Sequence, residues 1–203
     1  EIRPVPHDPA AAAALLEEAG WRDGDADGGG RRGGQPLAFT LLFGASSQAI
    51  TERTAEWVQQ ELAGVGARVQ LKRMEFAACQ ERRRSGDFEA TLHTVAYDPS
   101  PNLAPVLSSD PAVGTMNYGR FSDPETDRLL EVVRTSGDEA LRRRASADLQ
   151  RRLQEMEPVT ALYHARSLLL VAPSLQGVET SAVGLYGFTP GPRAWHWDRR
   201  AAP

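Results

Sequence analysis

Cysteine is all but missing from these 203 residues: Cys79 is the only one. A single thiol rules out an intrachain disulfide and a cysteine metal cluster, and it leaves the redox compartment open. Lysine is just as scarce, with Lys72 the only one among 23 Lys and Arg; GC-rich codon usage explains that more simply than function does. No stretch comes near the roughly 20 consecutive apolar residues of a membrane-spanning helix. Positive charge is not in excess either, since the formal net charge is -4 and the isoelectric point is near 5.6. That balance argues against a nucleic-acid partner, which needs a basic face. Catalytic signatures are missing as well: there is no Gly-x-Ser-x-Gly elbow and no glycine-rich phosphate loop at a strand-to-helix turn. His7, His164 and His196 have no metal-like partner at short spacing, so no zinc site is expected. No cofactor is expected.

What is present is an ordinary globular composition, 41% hydrophobic and 25% charged, which builds a core without staples. The length suits one α/β domain, or one domain with a tail. Asp8-Pro9 starts a helix, because Asp caps free amides and Pro suits the first helical position; Gly20 stops it. Residues 22–36 are polar and glycine-rich and read as a loop. Leu37 to Phe43 is a nearly unbroken apolar run of strand length, which suits a central strand buried on both faces. Ile50, Thr54, Trp57, Val58 and Leu62 recur at helical spacing, and Gly64 ends that helix. Ala67, Val69 and Leu71 alternate with Arg68, Gln70 and Lys72 in a half-buried strand.

A second flanking helix covers 75–84, closed by Ser85-Gly86. Phe88, Ala90 and Leu92 then alternate with Glu89, Thr91 and His93 in a third strand. The order is βαβαβ, which predicts an α/β fold with adjacent parallel strands and helices on the sheet faces. Residues 96–122 read as a long irregular excursion, the kind of loop that is usually functional or mobile. Asp123-Pro124 and Asp138 open two more helices. In the second, Leu141, Ala145, Leu149, Leu153 and Met156 form one apolar stripe. Ala161 to Tyr163 and Leu168 to Val171 read as two further strands. From Pro173 onward, frequent Gly and Pro argue against regular structure.

Several residues invite a functional reading beside a plainer one. Asp23, Asp25, Asp27 and Gly28 imitate half of a calcium loop, yet the twelfth position is Gly34 rather than Glu, so a surface turn is the better reading. His93 lies on the polar side of its strand, near the carboxyl end, where open α/β sheets bind ligands. His93, Thr94, Tyr97, Asp98 and Asn102 are therefore candidate cleft residues, with a solvated strand end as the alternative. Asn117 and Tyr118 either face the same cleft or satisfy turn backbone. The Arg82-Arg83-Arg84 and Arg142-Arg143-Arg144 runs read as solvated helix faces. Cys79 reads as an inert buried thiol.

Taken in order, Asp8-Pro9-Ala10, Leu15-Leu16-Glu17-Glu18-Ala19-Gly20-Trp21, Asn117-Tyr118 and Phe121-Ser122-Asp123-Pro124-Glu125-Thr126-Asp127-Arg128-Leu129-Leu130 resemble one family. It is the oligopeptide/dipeptide-binding (family 5) class of extracellular solute-binding proteins of ABC importers, in its C-terminal lobe. The resemblance implies a periplasmic binding protein type II-like lobe, a mixed sheet with a βαβαβ core and flanking helices. It implies a lobe at 1–172 and a tail at 173–203 that returns to an N-terminal lobe, with Trp195 and Trp197 packing near the hinge. Members are longer and carry a secretion signal and a first lobe, so these residues are expected to be an excised part. Peptide-binding members have a Trp-x-Ala-Asp-Tyr-x-x-Pro pattern whose Asp takes the ligand's α-ammonium group. Aligned on Pro99, that pattern puts Leu92 at the Trp and Val95 at the Asp, so the acidic anchor is replaced.

The function so implied is the substrate-binding component of an ABC importer, without enzymatic activity, for a peptide or related small solute. Its partners would be the ligand, a membrane permease and the N-terminal lobe of the same protein. Its location would be extracytoplasmic, in the periplasm or as a cell-surface lipoprotein. A ligand-sensing lobe of a receptor or regulator, and a small α/β hydrolase, are the other readings.

Overall fold

The apolar run that opens at Leu37 becomes the middle strand of a parallel sheet, and the first half of the chain is organised around it. The computed structural model describes residues 5–23, 29–45, 50–95, 102–164, 169–180 and 191–198. Two compact units divide the chain, Glu1–Val95 with Thr115–Phe121, and Ala96–Gly114 with Ser122–Pro203.

In the first unit, α1 (Pro9–Glu18) begins where the Asp8 carboxylate accepts the Ala11 N–H at 2.9 Å, the expected cap. It closes as a Schellman motif: the Gly20 N–H reaches Glu17 O at 2.9 Å and the Trp21 N–H reaches Leu16 O at 2.8 Å, with Gly20 at φ 87°. The loop expected over 22–36 is instead a small antiparallel meander, β1 (Arg22–Asp23), β2 (Gly30–Arg32) and β3 (Gln35–Pro36). Its cause is the Gly33-Gly34 turn, at φ 58° and 82°. Two successive positive φ values give a hairpin turn whose twist matches that of its strands. Asp25, Asp27 and Gly28 lie outside the described residues.

Next, β4 (Ala38–Gly44) leads to α2 (Ile50–Ala63), β5 (Arg68–Met74), α3 (Phe76–Ser85) and β6 (Ala90–Leu92). The three strands form one parallel sheet in the order β5-β4-β6, as the periodicities predict. Leu41 and Phe43 of β4 share a core with Ala55 of α2 and Val69 of β5, joined by Phe39, Val58, Leu62 and Leu71. Strand alternation turns Leu42 and Gly44 to the opposite face. There a Cβ on Gly44 would stand 3.4 Å from Phe76 and 3.8 Å from Cys79, so α3 covers that side. Both faces of β4 are thus buried, each large side chain contributing about 1.5–3 kcal/mol. The β6 ladder is shorter than expected because the Glu89 side chain, not backbone, accepts the Thr40 N–H at 2.8 Å.

As far as Met156, the regular structure of the second unit is helical. Inside the stretch read as irregular lies α4 (Ala104–Leu107), followed by α5 (Pro124–Thr135) and α6 (Glu139–Met156). Asp123 caps α5 through the Thr126 N–H at 2.9 Å, and Asp138 caps α6 through the Ala140 N–H at 2.8 Å. Leu107, Leu129, Leu130, Val133, Ala145 and Leu149 are buried together with Ala104 and Val106. The α6 stripe is buried at its middle only, since Leu141 and Met156 are exposed.

Ala161 to Tyr163, and residues 169–171 of the strand expected over Leu168 to Val171, are not strands, contrary to expectation; Leu168 lies outside the described residues. No strand among the described residues pairs with them, and Leu162, Tyr163 and Leu170 stand exposed, Leu170 at 96%. Conversely, the tail holds a short antiparallel pair, β7 (Leu175–Gln176) with β8 (His196–Trp197), where the Gly/Pro content argued for none. Gly177 permits it: at φ 75°, its missing Cβ would overlap the Ala194 carbonyl. Trp197 is largely exposed, Trp195 only partly.

Candidate functional site

The strand order β5-β4-β6 puts the first strand in the middle, with its successors on opposite sides. Such a sheet has a topological switch between its first and third strands, and ligands of open α/β sheets bind outside the carboxyl ends at that point. Here the switch falls at the paired ends Phe43 and Leu92, and His93 is the residue immediately beyond. Its location is the one that made it a candidate in the sequence.

His93 is not on a solvated face. It is half-buried and packs edge-to-face on Tyr118, with ring centroids 5.5 Å apart and planes at 71°, a favourable aromatic arrangement. The Nε2 atom is buried and has no hydrogen-bond partner among the described residues. Burial holds the imidazole pKa below its ordinary value, and the charge of Arg83 pushes it the same way, so the ring is neutral at pH 7. Thr94 is exposed and Val95 half-buried beside it.

Asn117 holds the Tyr118 segment in place. Its amide donates to Phe121 O at 2.7 Å, and its carbonyl oxygen accepts the Phe121 N–H at 2.9 Å. Arg120 adds a bond to Ser85 O at 3.0 Å. The segment therefore returns to the first unit, where Tyr118 meets His93. Asn102 belongs to the second unit; its side chain accepts the Ala104 N–H at 3.1 Å and starts α4. Tyr97 and Asp98 lie outside the described residues.

The residue that sequence reasoning missed is Arg83. Read as part of a solvated run, it is only 3% exposed. Its guanidinium donates to Thr91 Oγ1 at 2.9 Å, to Gln80 Oε1 at 2.8 Å and to Leu92 O at 2.8 Å. Thr91 Oγ1 in turn donates to Leu42 O at 3.1 Å, so one arginine ties α3 to the ends of β6 and β4. A helix turns about 100° per residue, so of three consecutive arginines one can point inward while its neighbours stay in water. Arg84 does the latter, while Arg82 is half-buried and pairs with Asp87 at 3.0 Å. Cys79, one turn earlier, is fully buried and its thiol pKa is raised by that burial, which suits an inert thiol.

The carboxylates of the second unit act on structure. Asp123 accepts both nitrogens of a fork from Arg152, at 3.0 and 2.7 Å, and the Thr126 hydroxyl at 2.7 Å. These bonds, Arg152 first, hold its pKa far below the usual carboxylate range. Asp127 fixes the loop before it through the Ser109 N–H at 2.9 Å and hydroxyl at 2.5 Å. Among the described residues no three His, Cys, Asp or Glu side chains gather as a metal site, and no helix is long and apolar enough to cross a membrane. The β6 end thus presents the His93–Tyr118 aromatic pair, one buried ring nitrogen and, beneath it, the Arg83 guanidinium.

Comparison with known proteins agrees with this architecture. Residues 1–113 match the bacterial extracellular solute-binding proteins, family 5, middle region. The oligopeptide-binding protein AppA of Bacillus subtilis (strain 168) is 24% identical over 170 residues, 83% of this chain and 31% of that protein. The nickel-binding periplasmic protein of Escherichia coli (strain K12) is 27% identical over 185 residues, 90% of this chain and 35% of the other. Among solved structures, AppA from Bacillus subtilis in complex with a nonapeptide superposes with a TM-score of 0.79 at 22% identity, covering 98% of this chain and 40% of that one. NikA from Brucella suis in complex with Fe(III)-EDTA gives 0.61 at 30% identity, covering 76% and 32%. This chain thus spans about a third of the length of the curated relatives it matches. The neighbours have the type II periplasmic binding fold expected from the sequence. With more than half of its residues inside the family match, the chain belongs to the bacterial extracellular solute-binding proteins, family 5.

Proposed function

We propose that this chain supplies one lobe of the substrate-binding component of an ABC importer, for a peptide or a related small solute. Residues 1–172 form the C-terminal lobe, and 173–203 form a tail that returns to an N-terminal lobe of the same protein. The observation that carries the reading is the half-buried His93–Tyr118 pair at the switch end of a sheet belonging to a solute-binding family. From their sequence positions, His93, Thr94, Val95, Tyr97, Asp98, Asn102, Asn117 and Tyr118 are the residues assigned to this lobe's half of the cleft. Asn117 serves it by holding Tyr118. Closing two lobes on a solute creates the form that docks on the membrane permease. The protein works outside the cytoplasm, in the periplasm or as a lipoprotein at the cell surface. No chemical step is assigned to it.

Enclosure between lobes supplies most of the binding energy in such clefts. Calorimetric titration with a panel of dipeptides and tripeptides should therefore give binding by the whole protein and weak or no binding by these 203 residues alone. Equal, tight binding by both would show a self-contained site and count against the two-lobe reading. Esters, peptides, phosphates and glycosides should not be turned over, because among the described residues no nucleophile, base and oxyanion donors are assembled. Hydrolysis abolished by one substitution between 93 and 118 would overturn the binding function.

A further inference from the structure

Arg83 is buried yet bonded only to neutral acceptors: a hydroxyl, a side-chain amide and a backbone carbonyl. No carboxylate among the described residues lies within ion-pair distance of it. Buried charges are ordinarily paired, because an isolated one carries a large desolvation cost. Two of its three bonds fall on Thr91 and Leu92, the last residues of β6, so its charge sits directly under the strand end that presents His93. There the Nε2 atom is buried and lacks a partner among the described residues. Hydrogen bonds engage three of the guanidinium's five donors and leave its charge in place.

We propose that Arg83 is a positioning and charge-setting residue that makes the β6 end a subsite for an anionic group of the solute, such as a carboxylate. The inference rests on the solute-binding reading above and names the charge that reading leaves open. Arg83 does not touch the solute, since it is sealed beneath the strand. It acts in two ways. Its bonds to Thr91 Oγ1 and Leu92 O fix the backbone from which His93 projects. Its charge, separated from the subsite by protein rather than water, is weakly screened, and attracts a carboxylate while repelling an ammonium. One charge acting over roughly 7 Å at an effective dielectric constant near 20 is enough for a preference of about tenfold or more.

The test uses the whole protein and three probes that share one scaffold: a dipeptide, its N-acetylated form with a free carboxylate, and its C-terminal amide with a free ammonium. Affinities are read by calorimetry. The acetylated form should bind about tenfold tighter than the amide. Arg83→Gln should erase that preference, and Arg83→Lys, which keeps the charge, should keep it. A merely structural arginine would lower all three affinities together and leave their ratio unchanged. Should Arg83→Gln fail to fold, the Arg83→Lys ratio and the wild-type ratio still decide. Equal affinities, or a preference for the amide, in the wild-type protein would overturn the proposal and leave the solute-binding function standing. No binding of any probe, with none of a wider panel of sugars, amino acids and chelated metals, would overturn both. A preference that emerges only in Asp98→Asn would assign the counter-charge to that aspartate and also overturn the proposal.

Discussion

Two apolar stretches of this chain look alike in sequence and end differently. Leu37 to Phe43 becomes the centre of a parallel sheet, with Leu42 only 2% exposed. Ala161 to Val171 has a similar apolar content, yet Leu170 is 96% exposed and neither segment expected there is a strand. The difference lies in partners rather than in side chains. β4 has β5 and β6 to complete its hydrogen bonds and two helices to cover its faces. A strand without neighbours has neither, and its apolar residues gain nothing by extension alone. An apolar run therefore reports that burial is available, and the covering surface decides whether it happens. In the proposed two-lobe reading, the cover for 161–164 and 169–171 belongs to the other lobe of the protein.

The largest effect should come from the buried run. Leu42→Ala is expected to lower the unfolding free energy by about 2–5 kcal/mol, through lost burial and the cavity left behind. Denaturant titration of the 203-residue chain measures it, and a loss below about 1 kcal/mol would break the contrast.

Next is the acid limb. The folded pKa of Asp123 is depressed, so its contribution is complete above the unfolded value near 4 and is lost as pH falls through the folded value. The urea midpoint should fall on going below about pH 4, and Asp123→Asn should flatten that fall. An identical slope in the variant would mean the Arg152 pair does not matter to the second unit.

A smaller signal is expected at His93, whose folded pKa is lowered by burial and then by Arg83. Between the folded value and the unfolded one near 6.5, the unfolded chain binds more protons, so stability rises with pH in that window. NMR titration of the ring should give a midpoint below about 6.5, shifted upward in Arg83→Gln. A midpoint above 6.5 would contradict the buried, neutral ring.

The smallest effect should be at the exposed run. Leu170→Ser should change the stability of this chain by no more than about 0.5 kcal/mol while reducing self-association seen by light scattering, because it removes an exposed apolar side chain.

Much of the fold was legible in the sequence because its signals are local. Asp8, Asp123 and Asp138 cap helices, Gly20 and Gly86 end them, and alternation along 67–72 and 88–93 marks strands. The meander at 22–36 was missed although Gly33-Gly34 is a hairpin signal, because its flanking residues are too polar to show alternation. Arg83 was hidden by its neighbours: charge composition describes a run, whereas burial depends on which face of α3 meets β6. His93 and Tyr118 could each be picked out, but their contact joins residues 93 and 118, and no local pattern encodes such a closure. The strands at 161–171 were overread for the reason given above, since pattern alone does not reveal whether a partner is present.

Hydrogen–deuterium exchange, compared between this chain and the whole protein, tests the completed-lobe reading most directly. Residues 38–44 should be protected in both. Residues 159–164 and 169–171 should exchange freely in the 203-residue chain and become protected in the whole protein, where the other lobe covers them. Equally fast exchange of these segments in both would contradict the claim that this chain is one lobe completed by another.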